Sequence, residues 1–318
     1  MRDATLALSL QRSLGMRAAR IHAYGHSDQI HVEDVSNPVP RPNEVLIKIR
    51  DAGVNPVDWK IREGFMAKAV PRNLPFTLGQ DFCGEVLALG ADVRGVEAGD
   101  EVYGFANGTY AEYVVVSPEM FASKPLSVDD AVAATLPTPG VTALQIVQKI
   151  MHPQAGDTVL IHGAAGSVGS IATQLCLAAG ARVIATASAV DAAYLASLGV
   201  AQVIDYKTQR FEDEVGIVDA VIDLVGKDTF ARSLGVMRQG GTIATSVGPT
   251  DPAQGKPVHA VQFLMKRNKA DLEELARLVD LGVVKPRGAR VLPLDAAREA
   301  QDLNQSGRAN EKLVLALS

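Results

Sequence analysis

The sequence predicts an α/β protein in two parts, a mostly-β region followed by a parallel sheet covered by helices on both faces. Short segments of alternating apolar and polar residues dominate 17–116, which is typical of strands with one buried face. After residue 136, runs of apolar residues alternate with helix-length stretches, which is typical of buried parallel strands. At 318 residues, the chain is long enough for about two domains.

The first region is predicted to be β because turn-forming residues separate its alternating segments. A first strand is predicted from Met16, in MRAARIHAYG. Further strands are predicted at EVLIKI (44–49), GEVLALG (84–90) and AEYVVV (111–116). Proline, asparagine and glycine residues between these segments favour turns, as in NPVPRPNE (37–44).

The second region is predicted to supply the parallel sheet. Its apolar runs are TVLIH (158–162), RVIATA (182–187), QVIDY (202–206) and DAVIDLV (219–225). Helix-length stretches separate the first three runs, and a shorter acidic stretch precedes the last. Strands that are apolar on both faces indicate a sheet that helices cover on both sides.

The chain is predicted to end with a helix and two strands. The helix is ADLEELARLVDLG (270–282), which has helical spacing and a glycine stop. The strands ARVLPL (289–294) and EKLVLAL (311–317) resemble those of the first region, so we expect the chain to return to the β domain. The predicted parts are an N-terminal extension (1–15), the β domain (16–137), the parallel-sheet domain (138–284) and a C-terminal segment that belongs to the β domain (285–318).

Composition excludes several classes of protein. Lysine and arginine number 31 against 36 aspartate and glutamate residues, which gives a net charge of −5. This charge disfavours nucleic acid or an anionic membrane surface as the main partner. No apolar run approaches the ~18–20 residues of a membrane-spanning helix. We therefore expect no nucleic-acid partner and no membrane partner.

The two cysteines, Cys83 and Cys176, exclude a disulfide framework and any site built from several thiolates. They fit a reducing, cytoplasmic setting. The six histidines have no paired spacing with cysteines that would indicate a metal site. In the first 15 residues, Asp3 and Gln11 interrupt the apolar stretch, so we do not expect a signal peptide. An extension before the first strand and an artefact of start-site choice are the two alternatives.

The strongest chemical signal is a glycine-rich turn between a strand and a helix, in TVLIHGAAGSVGSIATQLCLAAGARVIATAS (158–188). This βαβ unit has the length that dinucleotide binding needs. Gly166 allows the backbone to approach a pyrophosphate, and Gly169 allows the helix to pack closely on the strand. The amides around Ser167 and Val168 would face the anion from the helix N-terminus. Ala164 replaces the usual first glycine, and a helix-opening turn of an ordinary α/β domain is the alternative.

The residues after the second strand favour NADPH over NADH. An acidic side chain usually binds the ribose 2′-hydroxyl there, but Ala187 and Ser188 occupy the place. Ser188 could donate to a 2′-phosphate, and Tyr206 and Lys207 after the next strand could cover it. Each of these side chains also suits a plain surface position. Asp191 is a carboxylate nearby and counts against the preference.

With this turn placed after a β region, the chain from about residue 16 onward resembles the medium-chain dehydrogenase/reductase superfamily. The likeness is greatest to its zinc-independent NADPH:quinone oxidoreductase branch. The matching segments are RPNEVLIKIRDAGVNPVDWKIREG (41–64), LGQDFCGEVLALGADVRGVEAGDEVYGF (78–105), GTYAEYVVV (108–116), LPTPGVTALQ (136–145), GAAGSVG (163–169) and VIDLVG (221–226). The resemblance implies a GroES-like catalytic domain (16–137 with 285–318) and a Rossmann cofactor domain (138–284).

The sequence departs from the zinc alcohol dehydrogenases of this superfamily. Where they carry a cysteine ligand, this chain has Asn55, and their Gly-His-Glu turn is Gly79-Gln80-Asp81 here. The four-cysteine structural zinc lobe is missing from the sequence. A neutral amide is a poor replacement for thiolate or imidazole at zinc, so we predict no catalytic metal. Cys83 is expected to be a small buried residue rather than a ligand.

The resemblance also implies which residues meet the cofactor and the acceptor. Asn55 is expected near the nicotinamide and the acceptor oxygen, although it equally suits a turn before Pro56. Trp59 could line the pocket of an aromatic acceptor, or it could belong to the core. The remaining expected cofactor contacts are Thr138, Thr142, Leu224, Val225, Ser246, Val247 and Lys312. Glu311 replaces the family's glycine before Lys312, which weakens the contact implied for that lysine.

These observations predict an NADPH-dependent reductase that transfers hydride to a quinone or an α,β-unsaturated carbonyl without a metal. Such acceptors are already electrophilic and need no Lewis acid. Tyr110 and Asp58 are conceivable proton donors, but the catalytic acid stays unassigned. The alternatives are an enoyl or alkenal reductase with a defined metabolic substrate, and a cofactor-binding protein with little catalysis. The apolar segment GKPVHAVQFLM (255–265) is typical of an edge strand that pairs with a second copy, so a homodimer is expected.

Overall fold

The computed structural model describes residues 15–68, 71–248, 257–309 and 311–317. They form two compact units. Unit 1 contains Met1–Thr138, Arg267–Arg277 and Arg287–Ser318, and unit 2 contains Pro139–Lys266 and Leu278–Pro286. Apart from Gly15, the expected N-terminal extension lies outside the described residues.

Unit 1 is mostly β. Its strands are β1 (Met16–Ile21), β2 (Ile30–Val35), β3 (Val45–Gly53), β4 (Phe76–Thr77), β5 (Asp81–Leu89), β6 (Glu101–Phe105), β7 (Tyr113–Val116), β8 (Phe121–Ser123), β15 (Ala289–Pro293) and β16 (Lys312–Ala316). One sheet has the order β2-β1-β4, and a larger one has the order β15-β16-β3-β5-β6-β8, with β7 also paired to β3. The pairs are antiparallel except β15 with β16.

The core of unit 1 is formed by apolar side chains of its strands, and in β3 Leu46 is buried together with its neighbours. In β3, Val45, Ile47 and Ile49 are buried, whereas Lys48 between them is exposed. These side chains pack with Phe82 and other apolar residues of the same cluster. The helices of this unit are α1 (Pro56–Arg62), α2 (Asp130–Ala134) and α9 (Ala297–Gln305).

Unit 2 is built on a parallel sheet. Its strands are β9 (Thr158–His162), β10 (Arg182–Ala187), β11 (Gln202–Asp205), β12 (Val218–Asp223), β13 (Met237–Thr245) and β14 (His259–Gln262). Their order is β11-β10-β9-β12-β13-β14, and every pair is parallel. The order reverses beside β9, the first strand, which is the switch point of a doubly wound sheet.

Helices connect most strands of unit 2 and cover a core that includes Leu160, Ile184 and Val221. They are α4 (Ser167–Ala178), α5 (Ala192–Ser197), α6 (Phe211–Glu214) and α7 (Asp228–Ser233). Two further helices have residues in both units, α3 (Pro137–Gln145), which continues as a wider turn to Met151, and α8 (Lys269–Asp280). Within the described ranges, no helix is both long and apolar enough to cross a lipid bilayer.

The predicted fold class, an α/β protein with a mostly-β part and a parallel-sheet part, is confirmed. Strand β16 pairs with β3, so the C-terminal strands lie in the sheet of unit 1. Segment 267–277, which the sequence prediction places in the parallel-sheet domain, lies in unit 1. A hydrogen bond links this segment to strand β6 of unit 1, because the Tyr103 hydroxyl donates to the carbonyl oxygen of Leu272 at 2.5 Å. The exact domain ranges stay predictions.

Candidate functional site

The glycine-rich turn of unit 2 follows β9 directly and leads into α4. Its backbone is closely packed, since a Cβ placed on Gly169 would lie 2.2 Å from the carbonyl oxygen of Gly163. Gly163 itself has φ of +73°, a conformation that favours glycine. These two positions require glycine if α4 is to begin this close to the end of β9.

The start of α4 is suited to an anion. The first N–H groups of a helix have no acceptor within the helix, and here they belong to Ser167, Val168 and Gly169. Gly166 and Ser167 are exposed, and the first turn of α4 contains no acidic side chain. The helix dipole and the orphan amides are therefore available to a pyrophosphate, and the turn fits a dinucleotide.

Two more loops lie at the same edge of the sheet, because all strands of a parallel sheet end there. A Cβ on Gly163 would lie 3.3 Å from Cγ2 of Val225, so the loop after β12 borders the glycine-rich turn. The buried Asp223 carboxylate shapes that loop, since the amides of Val225 and Gly226 both donate to it at 3.0 Å. The predicted residues Leu224, Val225, Ser246 and Val247 are all at least partly exposed at this edge.

The position expected to bind the ribose includes Asp191, the carboxylate whose presence in the sequence counts against NADPH. The Ser188 hydroxyl donates to Asp191 at 3.0 Å, so its proton is committed to a carboxylate in this structure. Tyr206 and Lys207 are exposed directly after β11, and the Tyr206 amide donates to the carbonyl of Ala187 at 3.3 Å. The structure thus brings Ser188 and Tyr206 side by side.

His162, at the end of β9, has a structural role. Its two ring nitrogens lie 3.0 Å from the Thr186 hydroxyl and 2.9 Å from the Ser233 hydroxyl. Burial lowers the pKa of His162 to about 4, so the ring is neutral at pH 7. Thr142, in α3, is also buried, and its contact with a cofactor stays a prediction.

In unit 1, a buried polar cluster forms around Asn55. Its side-chain amide donates through Nδ2 to Oδ2 of Asp81 at 2.8 Å. Asp81 also accepts from the backbone amide of Thr138 at 2.9 Å and from its hydroxyl at 2.5 Å. The Lys312 ammonium donates to Oδ1 of Asn55. Three of the predicted residues therefore lie together, because Asn55 and Thr138 are bonded to Asp81 and Lys312 is bonded to Asn55.

The sheet of unit 1 explains why these residues meet. Asn55 follows the end of β3, and the two strands that pair with that end, β5 and β16, are antiparallel to β3. The starts of β5 and β16 therefore lie beside that end, which brings Asp81 and Lys312 next to Asn55. Burial raises the pKa of Asp81, while Lys312 and the hydrogen bonds from Thr138 oppose the shift.

Asp58 and Tyr110, the two conceivable proton donors, are bonded to each other in the interior. The Tyr110 hydroxyl donates to Oδ2 of Asp58 at 2.9 Å, and the Asn55 backbone amide donates to the same oxygen at 2.7 Å. Burial raises the pKa of Asp58 to about 7 and the pKa of Tyr110 well above its usual value. Both side chains are almost fully inaccessible, so this pair is part of the scaffold.

The two positions that the resemblance compares with zinc ligands hold Asn55 and Gln80 here. Asn55 and Gln80 are neutral amides whose oxygens accept hydrogen bonds from Lys312 and Arg267. The positive charges of Lys312 and Arg267 beside these oxygens would repel a zinc ion. Across the part of the chain that the structure describes, no three His, Cys, Asp or Glu side chains come together as metal ligands.

Trp59 is half-buried rather than part of the core. Its ring meets Phe65 edge-on, with the centroids 6.1 Å apart, and Lys60 Nζ lies 5.6 Å from the Trp59 ring centroid. Sequence reasoning missed the contact of Lys312 with Asn55 and the two arginines Arg72 and Arg267. The basic segment MKRNK (265–269) was a signal for Arg267.

Comparison with known families matches two regions of the chain. The model described as the alcohol dehydrogenase GroES-like domain matches residues 41–126. The model described as zinc-binding dehydrogenase matches residues 198–315. The curated 2-methylene-furan-3-one reductase of Solanum lycopersicum is 33% identical, over 94% of this chain and 79% of its own length.

Solved structures are similar over nearly the whole chain. The quinone oxidoreductase of Coxiella burnetii is 37% identical with a TM-score of 0.89, covering 95% of this chain and 99% of that one. The Escherichia coli quinone oxidoreductase, solved in complex with NADPH, is 25% identical with a TM-score of 0.86, covering 94% and 99%.

Proposed function

Since this chain belongs to the medium-chain dehydrogenase/reductase superfamily, in its quinone oxidoreductase-like branch, we propose that it is an NADPH-dependent reductase of quinones or α,β-unsaturated carbonyls. The glycine-rich turn of unit 2 carries this proposal, because its open helix N-terminus without acidic residues suits a pyrophosphate. NADPH supplies the hydride when bound. The solved relative in complex with NADPH supports the choice of cofactor.

In this proposal, the loops at the carboxyl edge of the unit 2 sheet orient the cofactor. Leu224 and Val225 lie beside the glycine-rich turn and present apolar surface, which excludes water from a reacting nicotinamide. Asp223 keeps that loop in place through its bonds to Val225 and Gly226. Ser246 and Val247 follow β13 and provide the neighbouring wall.

Metal independence is part of the proposal and is supported by the chemistry of the side chains. Asn55 and Gln80 replace the thiolate and imidazole of the zinc enzymes, and their oxygens are engaged with Lys312 and Arg267. Without a Lewis acid, the acceptor must be electrophilic by itself, which favours quinones and enones over simple ketones. With Tyr110 and Asp58 buried against each other, solvent supplies the proton.

Asn55 and Trp59 keep their proposed roles toward the acceptor. Asn55 is buried, and one N–H of its amide is bonded to Asp81; in the proposal the second N–H donates to an acceptor oxygen when the substrate is bound. Trp59 is half-exposed and offers an aromatic face. The enone reductase alternative has the support of the Solanum lycopersicum relative, whose name describes such an activity.

The decisive experiment is an acceptor panel with purified protein, in which NADPH oxidation is followed at 340 nm. Quinones and enones of graded size are expected to be reduced, and simple ketones are expected to be inert. Tight NADPH binding without turnover on any acceptor would instead favour a cofactor-binding protein with little catalysis.

A homodimer in a reducing, cytoplasmic compartment completes the proposal. Strand β14 is the last strand of the unit 2 sheet, and Leu264 just after it is 77% exposed. Both cysteines are buried and unpaired, which fits reducing conditions. Light scattering is expected to report a dimer, and a monomer at micromolar concentration would contradict this part of the proposal.

A further inference from the structure

Two arginines of unit 1, Arg72 and Arg267, are half-buried and take no part in the proposed hydride transfer. The Arg72 guanidinium lies 5.4 Å from the ring centroid of Phe76, and Nη2 donates to Oδ1 of Asn107 at 3.2 Å. The Arg267 guanidinium lies 5.5 Å from the ring centroid of Phe105 and donates to Oε1 of Gln80. Each uses one of its five N–H donors in these hydrogen bonds.

The partners of these two arginines lie on adjacent stretches of backbone. The amide of Ala106 donates to the carbonyl of Gln80 at 3.0 Å, and the amide of Gly108 donates to the carbonyl of Gly79 at 3.0 Å. Asn107 stands between those two amides. The residues that anchor Arg72 and Arg267 are therefore neighbours, and the two positive charges share one region of unit 1.

Neither arginine forms an ion pair with a carboxylate of the described ranges. Burial lowers the pKa of both, and the charge of Arg267 lowers the pKa of Arg72 further. Asp81 and Asp58 oppose the lowering of the Arg267 pKa, and Asp58 also opposes that of Arg72. The Asp81 oxygens already accept hydrogen bonds from Asn55 and Thr138, and Asp58 accepts from Asn55 and Tyr110. Two partly desolvated like charges that are not bonded directly to a carboxylate are unfavourable, and a bound anion would relieve them.

The available donors suit a carboxylate. A guanidinium binds a planar carboxylate through two parallel hydrogen bonds, and two guanidiniums can hold both of its oxygens. We propose that Arg72 and Arg267 form a subsite for a carboxylate on the acceptor, so that the preferred substrates are carboxylate-bearing enones or quinones. This inference rests on the proposed function, because it concerns the acceptor of that reaction. The binding of the anion can nevertheless be tested without turnover.

The reaction test compares two acceptors with the same reacting bond and different charge, 4-oxopent-2-enoate and its neutral primary amide. In either case, the carbon–carbon double bond gains a hydride and a solvent proton, and one NADPH is oxidised to NADP⁺. For the wild type, we expect kcat/KM on the carboxylate to exceed that on the amide by about tenfold or more, since charge-assisted hydrogen bonds are lost with the amide. Equal values would overturn the proposal.

Two variants test the arginines separately. Arg72→Gln and Arg267→Gln are each expected to lower kcat/KM on the carboxylate by about tenfold, and to change the value for the amide less than twofold. Arg94→Gln is the matched control, because Arg94 lies in unit 1 and bonds only to nearby carbonyls. An equal loss on both acceptors would mean a general structural defect and would overturn the proposal.

A binding measurement separates this subsite from the proposed function. Calorimetry with the unreactive product 4-oxopentanoate, without cofactor, is expected to show binding that weakens about tenfold in either glutamine variant. If no acceptor is reduced but this binding depends on both arginines, the subsite stands and the proposed function fails. If NADPH affinity falls in the variants while the 4-oxopentanoate affinity stays unchanged, the arginines serve the cofactor and the proposal is wrong.

Discussion

The Asn55 side-chain amide donates to Asp81 at 2.8 Å across 26 residues of sequence, and the same carboxylate holds both the amide and the hydroxyl of Thr138. This one buried carboxylate therefore fixes the segment after β3 against the start of α3. The Lys312 ammonium completes the arrangement from the other side of Asn55. Asp81 is therefore a positioning residue for Asn55, which we propose contacts the acceptor, and for Thr138, whose contact with the cofactor stays a prediction.

Replacing Asp81 with asparagine tests this role. Oδ2 of Asp81 accepts from the amides of Asn55 and Thr138, and Oδ1 accepts from the Thr138 hydroxyl, so an NH₂ group at either place removes the acceptor of at least one of these donors. We expect the free energy of unfolding to fall by about 1–3 kcal/mol, measured by urea denaturation, together with a lower kcat/KM. Asp92→Asn, on the exposed surface of unit 1, is the control and is expected to change stability by less than about 0.5 kcal/mol.

The glycine-rich turn is tested by Gly169→Ala. The new Cβ would lie 2.2 Å from the Gly163 carbonyl and 2.8 Å from Cα of Ala164, so backbone must move. We expect a loss of about 1–3 kcal/mol in stability and an increase of about tenfold in the Kd for NADPH, which corresponds to about 1.4 kcal/mol. At Gly216, a Cβ meets nothing within 4 Å, and Gly216→Ala is expected to leave NADPH fluorescence titrations unchanged.

Asp58 makes stability depend on pH. Burial raises its pKa to about 7 in the folded chain, against about 4 in an unfolded one. The folded state therefore binds the proton more tightly, and the stability that this carboxyl contributes is full below about pH 4 and is lost as the pH rises through 7. Its contribution to the slope between these values is at most about 1.4 kcal/mol per pH unit.

Urea denaturation at pH 5, 6, 7 and 8 measures this slope. Asp58→Asn is expected to remove the contribution of the carboxyl, since the amide does not titrate. Tyr110→Phe removes a hydrogen bond that lowers the pKa of Asp58, so the loss is expected to move to higher pH. The same slope in all three proteins would show that Asp58 does not titrate in this range.

Metal independence has a direct measurement. Elemental analysis of protein purified without chelators is expected to find far less than one zinc per chain, and EDTA is expected to leave turnover unchanged. The reason is the donor set, in which Asn55 and Gln80 offer amide oxygens already bonded to Lys312 and Arg267. One tightly bound zinc per chain, with activity that EDTA abolishes, would contradict the proposal.

The choice between NADPH and NADH is tested at Lys207. If this exposed ammonium binds the 2′-phosphate, Lys207→Gln is expected to raise the Kd for NADPH by about tenfold, with little change in the Kd for NADH. Arg182→Gln is the control, because Arg182 is exposed at the start of β10, the opposite edge of the same sheet. Tighter binding of NADH than of NADPH by the wild type would refute the cofactor assignment, and Asp191 beside Ser188 would explain it.

The class of fold and the glycine-rich turn could be predicted from local sequence patterns. The alternation in 44–49 and the apolar runs at 158–162 and 182–187 are local patterns, and local patterns decide which segments become strands or helices. The run at 219–225 shows the limit of such patterns, because β12 ends at Asp223 and the last two residues belong to a loop.

Contacts between side chains that are distant in the sequence depend on how the strands pair in three dimensions. Strands β5 and β16 lie on either side of β3, so Asp81 and Lys312 reach Asn55 although 257 residues separate Lys312 from Asn55. The same holds for Arg72 and Arg267, which share a region because Gln80 and Asn107 lie on neighbouring backbone segments. Strand pairing depends on the packing of the whole sheet, and periodicity within one segment carries no information about its partner.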